Sequence, residues 1–280
     1  MNRLIIILFL VSSFAFGQNS LLWQITKPGK KDTSYLYGTI HIPNKKYFYI
    51  NPKLHELKRK VDAGVFEIEL NQDSLVFISK ALLGQSGQRV TDLYTQEEQI
   101  VIFEYFKSKL GMEKLIVNNF SPIALTTAII QALTSSDTTS AIDQLLQTDF
   151  KRMGKQVIPL ESIKMQLNLL TQMPIGIQKK ELWEAVNNHD SLVTSLQFLD
   201  SVYMNQDLKG ISVLLDDLKA EEYLSKALLS DNRNLKMVDK LLVLLQKQSN
   251  LICVGAAHLG GEKGLIKLLS EKGYVLNPLN

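Results

Sequence analysis

The sequence predicts an α+β fold: a mixed central sheet built from two related strand-GxxH-helix-strand units, with a large helical cap inserted between them. Three observations predict it. Short apolar runs stop at a glycine and meet a histidine three positions later, first at Gly38-Thr39-Ile40-His41 and again at Gly255-Ala256-Ala257-His258. Each copy continues into a helical pattern, 54–63 or 265–272, which ends at Gly64 or Gly273 and returns through a second apolar run, 65–70 or 274–276. Between the copies, over roughly 73–250, apolar positions recur mostly at helical spacing.

Taken in order, residues 1–17 carry Arg3, an apolar run over 4–11 and the small-x-small sequence Ala15-Phe16-Gly17, the pattern of a secretory signal peptide. This predicts a single domain over 18–280 and a secreted or periplasmic location. The leading run falls short of the roughly 20 residues that span a bilayer, so no stable membrane anchor is expected after cleavage. Residues 21–26 read as a first strand, Lys27-Pro28-Gly29-Lys30 as a turn and 34–37 as a second strand, a hairpin that delivers His41 to a sheet edge. The stretch 43–52, with Tyr47, Phe48 and Tyr49, reads as a loop over the site with its aromatics packed on its own base. In the strand 65–70, Glu67 and Glu69 share a face with Val65. A half-wetted strand would account for both acids. An interior strand would instead leave a carboxylate that needs a metal or an arginine. Aligned on the two terminal glycines, Glu67 falls opposite Leu276, so the repeated frame keeps its histidine twice and its acid once; Glu69 is the substitute.

Helical patterns follow over 75–83, 97–110, 121–133 and 141–153. A short strand, 156–161, then ends in Glu161; a helix over 163–173 follows, and 175–248 is almost wholly helical. Locally, Asp143 reads as a favourable charge at a helix start, Glu161 as a helix cap, and His55 and His189 as solvated helix and turn residues. Arg233 breaks a rule. It stands in the first turn of a helix capped by Asp231 or Asn232, where a positive charge opposes the macrodipole by about 0.3–1 kcal/mol. A misplaced charge marks a function or a hidden partner, unless exposure to water makes its cost trivial.

With 280 residues, 45% apolar and 21% charged, the chain can bury a sizeable core. Its net charge of +3 comes without any basic run interleaved with aromatics, so nucleic acid is not an expected partner. The single cysteine, Cys253, excludes an intrachain disulfide and, inside an apolar strand, reads as a buried small hydrophobe.

Two neutral imidazoles, His41 and His258, with the carboxylate of Glu67 form a ligand set for a divalent transition metal that leaves room for water and substrate. Such a site suits hydrolysis, with Arg233 stabilising negative charge on oxygen and Glu67 or Glu161 taking the proton. Sharing one ion requires the two rings to lie within about 8 Å. The spacing is not the helical H-E-x-x-H of common zinc proteases.

Gly38-Thr39-Ile40-His41, the VFEIEL run with Glu67, the Asp143 to Gln166 segment with IPLES, Asp231-Asn232-Arg233-Asn234 and VGAAHLGGEKGL occur in this order from about residue 21 to the C-terminus. Together they resemble the TraB/GumN family, related to the Tiki metalloproteases and the pheromone-shutdown proteins. The resemblance implies two related halves around one sheet and a site of His41, His258, Glu67 and Arg233, with Glu161 also matching. Through the Tiki relatives it implies metal-dependent proteolysis of a peptide or protein substrate, with manganese or cobalt favoured; zinc also suits the ligands. Two other readings stay open: a peptide- or metal-binding protein without turnover, and a metal-independent hydrolase of the erythromycin-esterase type.

Overall fold

The computed structural model describes residues 20–84, 87–134, 140–217 and 230–279. The signal-peptide pattern therefore lies outside the described residues. The elements run β1 (Leu22–Thr26), β2 (Ser34–Thr39), α1 (Leu54–Lys60), β3 (Ala63–Phe66), α2 (Gln72–Leu82), α3 (Val90–Leu93), α4 (Gln96–Leu110), α5 (Lys114–Val117), α6 (Pro122–Thr134) and α7 (Ile142–Arg152). There follow β4 (Gln156–Pro159), α8 (Ile163–Thr171), α9 (Ile175–Asn187), α10 (His189–Met204), α11 (Leu208–Asp217), α12 (Asn232–Lys247), β5 (Asn250–Gly255), α13 (Leu265–Glu271) and β6 (Val275–Pro278). The fold is α+β, a mixed six-stranded sheet in the order β4-β3-β5-β2-β1-β6.

Strands β4, β3, β5 and β2 are mutually parallel, while β1 is antiparallel to both β2 and β6. β1 and β2 form the expected hairpin, turning at Lys27–Lys30 with Gly29 at φ 79°, a left-handed conformation that favours glycine. Because β2 and β5 are parallel neighbours, with Thr39 opposite Gly255, both Gly-x-x-His turns leave the same edge of the sheet. The crossover from β2 passes β5 to reach β3, whereas that from β5 passes β2 and β1 to reach β6. Right-handed crossovers leaving neighbouring strands in opposite directions open a crevice between them at the strands' carboxyl ends.

The burial pattern explains the rest. On α7, Ile142, Leu146 and Phe150 are buried in the core of the sheet. On α12, Met237, Val238, Leu241 and Leu245 do the same. Each is an amphipathic stripe at helical spacing. Lys58 of α1 pairs with Asp149 of α7, so these two helices lie together. A second hydrophobic cluster, with Ile102, Phe106, Leu125, Ile129 and Leu182, holds α3–α6 and α9 together away from the sheet. The 73–250 insert thus contains more than a cap, since β4, α7 and α12 belong to the sheet layer.

Two local expectations are corrected. The first helix stops at Lys60 rather than 63, and Ala63-Gly64 opens β3, hydrogen-bonded between β4 and β5. Gly64 is required there: a Cβ would come within 2.7 Å of Phe66 and 2.8 Å of Phe150. The strand also ends at Phe66, so Glu67 and Glu69 do not alternate on one strand face as expected. Glu69 instead turns to Lys151, at 3.0 Å.

Candidate functional site

Four parallel strands deliver their next residues to one edge. His41 follows β2, Glu67 follows β3, Glu161 follows β4, and His258 closes a short 3-10 turn after β5. The β3–β4 ladder continues past both strand ends: Leu160 N–H donates to Phe66 O at 2.8 Å and Glu161 N–H to Glu67 O at 2.7 Å. That pairing sets two buried carboxylates side by side, which would repel unless a cation joined them.

Arg233 is that cation. From the first turn of α12 its Nη2 donates to Glu67 Oε2 and Glu161 Oε2, both at 2.6 Å, and its Nε to Glu161 Oε1 at 3.0 Å. The unfavourable dipole position is offset by two carboxylates, the hidden partners anticipated for it. Gln166 Nε2 completes the bridge, donating to Glu67 Oε2 at 2.7 Å and Glu161 Oε2 at 3.1 Å. Glu161 is therefore not a helix cap; Ser162 takes that place, its Oγ accepting from Met165 N–H. Asp231 occupies the N-cap of α12 without a side-chain capping bond.

The histidines approach the same carboxylate from the other side. His258 Nε2 lies 3.6 Å and His41 Nε2 3.8 Å from Glu67 Oε1, so the two rings are closer together than the expected limit of about 8 Å. Gly255 N–H donates to Oε1 at 2.5 Å. With Arg233 and Gln166 on Oε2 and Gly255 on Oε1, a carboxylate of about four acceptor positions keeps one, on the oxygen both imidazoles face.

The two rings differ in state. Asn234 Nδ2 donates to His258 O at 3.2 Å and Lys263 O at 2.8 Å, which fixes its amide so that Oδ1 accepts from His258 Nδ1 at 2.6 Å. His258 therefore carries its proton on Nδ1 and turns the Nε2 lone pair towards Glu67. Burial pulls its pKa down, and the attraction of Glu67 does not reverse this, so the ring is neutral. His41 is the opposite case. Burial lowers its pKa, but hydrogen bonds and charge from Asp143 and Glu67 outweigh this and push it up to about 10. Its ring is about half open to solvent, which screens part of that rise. Burial raises the Glu67 pKa, yet the protonated His41 ring and the Arg233 guanidinium hold it well below 4.5.

Asp143 was missed as a site residue. Its Oδ2 stands 3.2 Å from His41 Nδ1, and its Oδ1 has no hydrogen-bond partner among the described residues. The available signal was a carboxylate on the buried stripe of α7 beside Ile142 and Leu146, where a solvated dipole partner has no place. Gln147, one turn further, braces the segment after Glu67: its Nε2 donates to Ile68 O and its Oε1 accepts from Leu70 N–H. His189 does not join the site; it opens α10 and bonds Tyr105 Oη at 2.7 Å, so it is not a solvated turn residue. Tyr47 packs edge-on to Tyr203 beneath its loop, with ring centroids 5.1 Å apart, and Tyr49 faces solvent.

A divalent ion with bonds of about 2.0–2.2 Å holds neighbouring tetrahedral ligand atoms roughly 3.3–3.6 Å apart. No three His, Cys, Asp or Glu side chains among the described residues are drawn together as a metal-binding group. The donor set nevertheless suits an ion. It supplies two Nε2 positions, one with its tautomer fixed, and one remaining carboxylate position; each Nε2 lies within about half an ångström of the spacing from Oε1 that a bound ion would impose.

Fold and site together define a class: an α+β protein with two imidazoles, a pair of carboxylates and an arginine gathered at the carboxyl edge of its sheet. The model of the TraB/PrgY/gumN family matches residues 21–278, and the chain belongs to this family. It is 23% identical over 313 residues to the protein named metalloprotease TIKI2 of Danio rerio, an alignment covering 91% of this chain and 60% of that one. The chain thus spans about three-fifths of that relative's length. No solved structure matches. No helix among the described residues is long and apolar enough to cross a membrane.

Proposed function

We propose that the chain is a secreted or periplasmic metal-dependent hydrolase acting on peptide bonds. Manganese or cobalt is the favoured ion, and zinc also suits the ligands. The observation that carries this reading is the convergence of His41 and His258 Nε2 on one oxygen of Glu67. The similarity to a protein named a metalloprotease supports it, and the export pattern in residues 1–17 supports the location.

His41, His258 and Glu67 would hold the ion, which supplies a Lewis acid for the substrate carbonyl and lowers the pKa of a bound water. The chain's own residues prepare the ligands. Asp143 orients His41 through Nδ1, and Asn234 orients His258. Arg233 keeps Glu67 ionised and aims its free acceptor position at the two rings. Glu161, whose two oxygens are both engaged, anchors Arg233 as a positioning residue and not as a proton acceptor.

The contact between Asp143 and His41 favours one rival, a metal-independent hydrolase in which Asp143 holds the His41 ring for acid-base catalysis, the ring starting as the acid because its pKa is raised. The purified protein, assayed on a peptide library with and without manganese, cobalt or zinc, separates the two. The metal reading expects chelation to abolish cleavage, an added ion to restore it, and His41→Ala and His258→Ala each to lose the ion. Cleavage that survives chelation but not His41→Ala overturns the metal and leaves acid-base catalysis by the histidine. Retention of peptide without any cleavage makes this a binding protein.

A further inference from the structure

Among the described members of the cluster, access is uneven: the side chains of His258 and Glu67 are 3% and 5% exposed and that of Glu161 1%, whereas His41 is 54% exposed. His41 opens into a cavity of about 390 Å³ between α10, α11 and the turn after β5. Its walls are Leu196 and Leu199 of α10, Ile211 and Leu214 of α11, and Ala256. Leu196, Leu199 and Leu214 are only partly buried; Leu214 also packs against the sheet core, while Leu196 and Leu199 belong to neither core cluster and turn apolar surface to this space. Whatever reaches the reactive groups by this route passes aliphatic surface first.

We infer that this cavity is the side-chain subsite of the substrate, taking a large aliphatic residue such as leucine or methionine beside the bond that His41 and Glu67 address. The inference rests on the hydrolase reading above and gives it a substrate class. The volume lies at the small end of the range of ligand pockets, about 300–1,000 Å³, room for a large side chain together with the backbone that carries it and too little for a folded partner. A charged side chain would lose water against the aliphatic walls, so away from His41 at the mouth of the cavity a leucine or methionine is favoured over acidic and basic residues. Discrimination by such a pocket reaches about 10–200-fold per methylene group.

The test varies one position at a time in a peptide library and compares kcat/KM for leucine and alanine beside the cut. The expected ratio is at least about tenfold in favour of leucine. Leu199→Trp, which fills the cavity, should lower that ratio by at least about tenfold, and Leu199→Ala, which enlarges it, should move the preference towards phenylalanine. Circular dichroism confirms that each variant is folded; should Leu199→Trp fail to fold, Leu214→Trp takes its place. Unchanged selectivity in a folded filled variant and in the enlarged one overturns the subsite. If no peptide is cut at all, equilibrium binding of the same library keeps the two ideas apart. Leucine-selective binding that the filled variant loses supports the subsite and sinks only the hydrolase, while binding indifferent to that side chain sinks the subsite.

Discussion

A histidine gripped by two carboxylates enters metal binding with a proton to lose. With His41 pushed up to about 10 and His258 neutral, binding an ion near pH 7 should release about one proton, from His41. Affinity should then climb with pH until His41 deprotonates by itself. Calorimetry in buffers of different ionisation enthalpy reads this directly: Asp143→Asn should reduce the release, and no release at all would contradict the state assigned to His41. Asn234→Ala frees the His258 tautomer and strands two carbonyls and a ring N–H, so a loss of at least about 2 kcal/mol of stability is expected in urea unfolding. The residues that broke a local rule were legible in the sequence: His41 and His258 after their glycines, Arg233 against its helix dipole. Asp143, Gln166 and Asn234 were not, because each has an adequate local explanation near a helix start and acquires its role only from partners far along the chain.

Strands, more than helices, decide where the chemistry stands. At Gly255, the last residue of β5, an added Cβ would sit 3.0 Å from Glu67 Oε1, so the carboxylate would have to give way where the backbone N–H already donates to it. Gly255→Ala should therefore displace the carboxylate and lower activity at least about tenfold while costing at most about 1–3 kcal/mol of stability, read by kcat and melting in parallel. Gly64→Ala is the converse control, since its clash with Phe66 and Phe150 lies in the core. It should destabilise by a similar amount, with activity per folded molecule far less affected. The elements themselves were largely legible from apolar spacing, caps and glycines, as with α4, whose Thr95–Glu98 capping box and Gly111 end are visible in the sequence. The β3 boundary was not. Ala63 and Gly64 continue a helical pattern, and only hydrogen bonding to β4 on one side and β5 on the other draws them into the sheet.

For the molecule as a whole, the buried Glu67 ties stability to pH. Its pKa in the fold lies well below 4.5, so its ionised form stabilises the protein above about pH 4.5, and that contribution is lost as pH falls through the folded value. Urea midpoints of the metal-free protein should accordingly drop on acidification. Glu67→Gln should be less stable near neutrality and show a flatter acid limb; an equally steep limb would assign the effect to other groups. Strand order was beyond the sequence, because β2–β5 pairing joins segments more than 200 residues apart. Its placement of β1 and β6 carries a further consequence. Leu279 N–H donates to Leu22 O at 2.8 Å, and β1 begins where β2 ends, so the start of β1 and the end of β6 both lie on the rim that bears the histidines, one and two strand spacings of about 4.8 Å from β2. A bulky domain joined directly ahead of Ser20 or behind Leu279 will therefore stand beside the doorway, shading large proteins from attack while dipeptide-sized molecules still slip past.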